Sequence, residues 1–238
     1  MSPGPRPIVF LSDYGLDDDF VGICHAVMAR ISPRSNVIDL SHAVPPQDVL
    51  RGALALHRSL PFLPTDAVVL AVVDPGVGTP RLPVAVETAR HGRLLVGPDN
   101  GLLTLAWLQE QGVRSAVEIA SPAARLEPVS TTFHGRDIFA PAAAHLAGGM
   151  ALKELGPPVD PRSLVALSLP KAGVEPGRSP RRSWRSTGSA ISNSPGGWRT
   201  FTPRAWRGFS ASTSLPGGVP SRCAAPRRSA TSPKGPWG

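Results

Sequence analysis

Four short apolar runs set the terms on which this chain can fold. Ile8 to Ser12, Val37 to Leu40, Ala67 to Val73 and Arg93 to Val96 are rich in Val, Ile and Leu, and each is closed by a polar residue or a turn. Runs of this length read as strands, and their near-continuous hydrophobicity fits strands covered on both faces. Helical spacing fills the gaps over Phe20 to Ile31 and over Asp48 to Leu60, the second behind Pro45-Pro46-Gln47-Asp48, which supplies a first turn and a cap. Leu102 to Gln111 and Asp137 to Leu146 carry the same helical periodicity. Strand alternating with helix predicts an α/β fold with a mostly parallel sheet flanked by helices.

A compositional break divides the 238 residues. All 17 acidic residues lie at or before Glu175, and four of the five tryptophans lie after it. Residues 1–178 hold 15 Lys+Arg against 17 Asp+Glu, so the formal charge of +8 belongs entirely to the 10 basic residues of 179–238. The expected division is therefore an α/β domain over residues 1–170, followed by a linker and basic tail over 171–238. The tail has too few Val, Ile, Leu and Phe to offset chain entropy by burial, and disorder is expected there. A basic chain ordinarily suggests a nucleic-acid partner, because Lys and Arg neutralise phosphates. Here that inference does not reach the front domain, and nucleic acid is not the expected partner. Neither an 18-residue apolar run nor an apolar segment behind a basic start occurs, so the expected location is the cytoplasm, without a membrane span. Cys24 and Cys223 stand on either side of the break and give neither a disulfide framework nor a metal-ligand spacing. Cys24 reads as a buried thiol.

Asp13, His42, Asp74 and Asp99 each stand just past the end of a predicted strand. If the strands are parallel, the four share one edge, and ligands of open α/β sheets bind outside the carboxyl ends of the strands. Taken singly, each reads equally well as a turn or cap residue. Together they describe a carboxylate-rich notch that attracts a cation and offers acceptors to paired ribose hydroxyls, demands that a positively charged nucleoside meets. Two loops add to it. Asp74-Pro75-Gly76-Val77-Gly78-Thr79-Pro80-Arg81 brings a guanidinium near Asp74, and Thr132-Phe133-His134-Gly135-Arg136-Asp137 places His134 just before a helix. Asp74, Arg81 and His134 are then able to surround one water. The glycine-rich loop lacks the lysine of a phosphate-binding loop, and no dinucleotide fingerprint is present.

The segments SDYGLDDDFVG, VDPGVGTPR, VGPDNGLL and TFHGRDIFAPAAAHLA, spread from about Ile8 to Leu155, together closely resemble the S-adenosylmethionine (SAM) hydrolase, or SAM hydroxide adenosyltransferase, family, which is related to the fluorinases and chlorinases. The resemblance implies cleavage of SAM by water to adenosine and methionine with no metal or other cofactor. It also implies a trimer whose active sites lie between one subunit's α/β domain and its neighbour's carboxyl-terminal β-barrel. Position by position, it makes Asp74, Arg81 and His134 the water-activating triad, Asp13 the ribose-diol acceptor and Asp18 a contact for the methionine end, with Asp99 and Asn100 as further substrate-binding residues near the pocket. The halogenases replace the Asp of VDPG and the His of FHG, so water is the implied nucleophile. The chemistry is self-consistent: a sulfonium leaves as a neutral thioether and needs no general acid, whereas water, with a pKa of about 15.7, needs activation. Asp17 and Asp19 read as a solvated or capping pair, and His25, His57, His91 and His145 as structural or surface residues.

The tail departs from the resemblance. Where relatives begin their barrel with a turn of the form Asp-Arg-Phe-Gly-Asn-Leu, this chain has the segment from Arg181 to Ser192, without strand alternation. Regrouping its codons by one base permits Glu-Val-Leu-Glu-Val-Asp-Arg-Phe-Gly-Asn-Leu at that place. The expectation is a frame slip near Gly177 to Arg182, with the family activity impaired as a result. Two other readings stand beside this one. The Asp-rich loop from Asp13 to Asp19 also suits a metal-dependent nucleoside hydrolase, and the basic, Trp-bearing tail suits a non-enzymatic nucleic-acid-binding arm.

Overall fold

In chain order the computed structural model, which describes residues 4–168, contains β1 (Ile8–Ser12), α1 (Phe20–Ile31), β2 (Val37–Ser41), α2 (Val49–Ser59), β3 (Val68–Val72), β4 (Pro83–Thr88), β5 (Leu94–Pro98), α3 (Thr104–Gln109), β6 (Val113–Glu118), α4 (Ala140–Ala147) and β7 (Pro158–Val159). The expectations for the basic tail and for Cys223 fall outside the described residues.

The strands form one sheet in the order β2-β1-β3-β5-β4-β6-β7. The four strands expected from the apolar runs are the four that pair in parallel. The other three, which lack that signature, add on in antiparallel fashion, so the sheet as a whole is mixed. β4 opens with Pro83, and a proline is tolerated at the first residue of a strand. β6 reads Val-Arg-Ser-Ala-Val-Glu, too polar to stand out as a buried run.

Alternation along the strands builds a core on each face. Ile8, Phe10, Val68, Leu70 and Val96 point to one face and pack with Cys24 and Met28 of α1 and the alanine-rich α4. Val9, Leu11, Val69, Ala71 and Leu95 point to the other and pack with Leu56 of α2 and Trp107 of α3. Each large side chain buried in this way contributes about 1.5–3 kcal/mol, so Phe10→Ala, at a fully buried position, would cost about 3–5 kcal/mol. Burial also pushes the free Cys24 thiol up to about 12, which leaves it protonated and inert.

Local chemistry sets the helix ends. Asp48 caps α2 by accepting from the Arg51 backbone N–H at 3.0 Å. The helix expected from Leu102 begins later because the Asn100 side chain accepts from the Leu102 N–H and forms a turn. The helix expected from Asp137 opens with a π-helical turn, Gly135–Phe139. Pro141 lacks the N–H that would have met the Asp137 carbonyl, and Leu126 N–H donates to that carbonyl instead at 2.8 Å.

This order places a crevice. β2 and β3 flank β1 on opposite sides, and the connecting helices α1 and α2 pack on opposite faces. The strand order therefore reverses at β1, which opens the sheet beyond the carboxyl ends of β1 and β3.

Candidate active site

A small cleft of about 60 Å³ occupies that switch point, lined by Asp13, Tyr14, Val72, Asp74, Val77, Thr132, His134 and Gly135. Its walls come from three places in the chain, namely the residues after β1, those after β3, and the loop before α4.

Arg81 joins them. Its Nε lies 3.0 and 3.1 Å from the two oxygens of Asp74, its Nη2 bonds Asp74 Oδ2 again, and the same Nη2 lies 2.7 Å from His134 Nδ1. The Arg81 and Asp74 side chains are nearly buried, at 9% and 6% exposure, so the pair is shielded from solvent. The guanidinium also sits 5.1 Å above the Phe139 ring, a cation–π contact that fixes its plane. A guanidinium only donates, so His134 Nδ1 must carry its lone pair, and the ring is the neutral tautomer protonated on Nε2. Burial, followed by the charge of Arg81, lowers the pKa of His134, and Asp74 and a Ser130 backbone contact offset this only in part. His134 makes no side-chain capping bond, so its ring is committed to the cluster and not to the helix start.

Two loops must approach closely for this contact to form. Gly78 has φ +76° and lies against the Thr131 carbonyl, where a Cβ would stand only 2.6 Å from the oxygen. Gly135 lies against the Tyr14 hydroxyl, where a Cβ would meet it at 1.9 Å. The His134 loop is tied down by Asp137, which accepts from the Ser130 N–H at 2.9 Å and from Arg136 Nε at 2.6 Å. Burial works to raise the Asp137 carboxyl, but the Arg136 and Ser130 hydrogen bonds outweigh it and hold the carboxyl low and ionised.

Asp13 lines the same cleft. Its Oδ2 accepts from the Gln47 N–H at 2.7 Å, and burial raises its pKa against that bond. The other strand-end residues lie elsewhere. Asp99 accepts from the Val165 N–H, while Asn100 donates to the Val73 carbonyl and accepts from Leu102, so both tie backbone segments together outside the cleft lining. His42 is buried between Ser12 and Asp39. Asp18 is exposed, with Asp17 and Asp19, in the bend before α1, and Asp19 occupies the cap position without a capping bond. Sequence reasoning did not single out Tyr14, Val77 or Thr132 as cleft residues, although each sits inside or beside a motif that it did single out.

Comparison with known proteins agrees with this architecture. The chain is 54% identical over 170 residues to a protein from Salinispora tropica named (R)-S-adenosyl-L-methionine hydrolase, covering 71% of this chain and 64% of that one. It is 52% identical over 172 residues to a protein of the same name from Thermus thermophilus, covering 69% and 66%. A crystal structure of an uncharacterized conserved protein from Thermotoga maritima superposes with a TM-score of 0.64 at 41% identity, over 69% of this chain and 62% of that one. The chain thus spans slightly less than two thirds of the length of these relatives. Residues 8–156 match the SAM hydroxide adenosyltransferase N-terminal domain, and the chain belongs to that family.

Proposed function

We propose that this chain carries the α/β side of a site that hydrolyses S-adenosyl-L-methionine to adenosine and L-methionine. The observation that carries the reading is one guanidinium, Arg81, holding the Asp74 carboxylate and the His134 ring at a cleft that Asp13 also lines. The names of the relatives support the substrate.

The cleft has room for water but not for a nucleoside, so SAM lies across its mouth with C5′ toward the interior. Asp13 keeps Oδ1 for the ribose hydroxyls, since Oδ2 is taken by Gln47. Asp18, exposed in the bend that follows Tyr14, is assigned to the methionine end. Asp99 and Asn100 act from behind, by holding the chain that frames the site. The family's trimer supplies the second wall of the site from a neighbouring subunit.

The tautomer decides the roles of the triad. With Nδ1 of His134 facing Arg81 and Nε2 protonated, the imidazole has no free lone pair and acts as a donor that orients the water. Asp74 is the acceptor. As the water oxygen forms its bond to C5′, the C5′–S bond breaks with its electrons going to sulfur, and the water proton passes to Asp74 and then to solvent. Arg81 keeps both partners in place and offsets the charge that develops, so most of the rate comes from positioning and preorganised electrostatics. No metal enters this sequence of steps, and turnover in the presence of EDTA would separate it from a metal-dependent nucleoside hydrolase.

The reading frame belongs to the same proposal. A one-base slip near Gly177 to Arg182 replaces the partner-facing domain with the basic tail, and this impairs the activity. The test is to incubate SAM with the chain as it stands and with a frame-restored form, and to chromatograph for adenosine and methionine. The restored chain is expected to release both in equal amounts, the present chain to be far slower, and Asp74→Asn to silence the restored chain. A restored chain that leaves SAM intact overturns the assignment of substrate. A nucleotide sequence with no open continuation in the shifted frame overturns the slip.

A further inference from the structure

A second polar cluster lies on the other side of β1 from the cleft, and the proposed hydrolysis makes no use of it. His25 on α1, Asp39 in β2 and His42 just past β2 converge on one point. His25 Nε2 stands 2.8 Å from Asp39 Oδ1, and His42 Nε2 stands 3.0 Å from the same oxygen. All three ligand atoms lie within 4.8 Å of one another, and no other such group of three His, Cys, Asp or Glu side chains occurs among the described residues.

From these observations we infer that His25, Asp39 and His42 form a binding site for a divalent transition-metal ion, of the Zn²⁺, Co²⁺ or Ni²⁺ class. Two imidazoles and one carboxylate make an N₂O donor set, which suits borderline ions, whereas Ca²⁺ and Mg²⁺ prefer all-oxygen cages. The ligands are held in place before any ion arrives. The His42 side chain is 3% exposed, its ring packs edge-on to Phe10 at 4.6 Å, and its Nδ1 already lies 2.7 Å from Ser12 Oγ. That bond is the outer-shell partner a metal-bound histidine requires, because Nδ1–H must donate when Nε2 ligates. In the ion-free state each Nε2–H donates to Asp39. When an ion enters, the protons move to Nδ1, that of His42 donates to Ser12 Oγ, and the ion replaces two N–H groups in front of Asp39 Oδ1. His25 and Asp39 are 34% and 44% exposed, which leaves an entry path and room for water to complete the coordination. His42 lies against the end of β1, and an ion there would brace Ser12, the residue immediately before Asp13.

The test is titration of the full chain with Co²⁺, read by its visible ligand-field absorption. Saturable binding of one equivalent is expected, with displacement by Zn²⁺. His25→Ala and Asp39→Asn should each weaken binding by at least ~100-fold, and Ser12→Ala by ~10- to 100-fold, as outer-shell losses do. His91→Ala, far from the cluster, should leave the titration unchanged, and far-UV circular dichroism checks that each variant folds. Position 25 faces solvent on a helix, where alanine is well tolerated, so at least that variant stays readable. Absence of saturable binding, or binding that survives both His25→Ala and Asp39→Asn, overturns the site.

Discussion

Two clusters of arginine, carboxylate and histidine stand at opposite ends of the sheet, and they do opposite things. At the carboxyl end of β3, Arg81 is the hub, with Asp74 and His134 as its partners. At the amino end of β5, Glu110 is the hub, taking an N–H from His91 Nδ1 at 2.7 Å and pairing with Arg93 Nε at 3.7 Å. Arg93 is 2% exposed and also donates to the Pro64 carbonyl at 2.6 Å, which closes the cluster on itself. A carboxylate hub turns its oxygens to the groups packed around it and holds α3 to the sheet. An arginine hub orients a carboxylate and an imidazole and leaves them facing a cleft. The same three residue types therefore give a structural clamp or the centre proposed for the reaction according to which one is central, and only the second stands where the sheet opens.

Breaking the two hubs should separate those roles. The largest effect is expected for Arg81→Ala in the frame-restored chain, where loss of the shared donor should lower kcat for SAM by ~10³-fold or more. A fall of less than threefold would mean that the cleft is not the reaction centre. The next largest is Arg93→Ala, which leaves Glu110 buried without its ion pair and should cost about 3 kcal/mol, or roughly 10 °C in Tm, with kcat unchanged. Urea titration together with the SAM assay measures both, and a kcat loss as large as that of Arg81→Ala would erase the distinction between the clusters.

A pH profile sharpens the comparison further. Burial and Arg81 lower the pKa of His134 from its ordinary value of 6.5, so the neutral ring persists below that pH and the acid limb of kcat/KM should fall below 6.5. The sign for stability is the same. The unfolded chain binds the proton more readily, so the contribution of His134 is full above 6.5 and is lost as pH falls through the lower folded value. An acid limb above 6.5 would contradict the Arg81–Nδ1 contact. The smallest effect belongs to His91→Ala, whose 38% exposed side chain makes a solvent-screened contact worth less than about 1 kcal/mol. Chemical denaturation should place it near the parent.

Much of the parallel half of the sheet was legible because parallel strands are buried on both faces and write themselves as apolar runs. β4 and β6 were not, because they mix polar residues into short segments, nor was β7, which is only two residues long, and all three owe their strand state to neighbours found far along the chain. The strand-end rule grouped Asp13 and Asp74, which line the cleft, with Asp99, whose carboxylate serves the Val165 backbone. Both kinds of residue follow an apolar strand, and the difference lies 66 positions away in sequence. His25 and Asp39 gave no local sign of their meeting with His42, since one lies on a helix and another within a strand.

What the sequence determined by itself is the set of local preferences: apolar runs that must be covered, glycines where two loops touch, a capping aspartate, and the residue types able to bind a cationic nucleoside. What only the tertiary structure decided is which of those residues meet and in what protonation state. His134 is a neutral donor because a guanidinium 53 residues away in the chain faces its Nδ1, and proton positions follow from such contacts, not from composition.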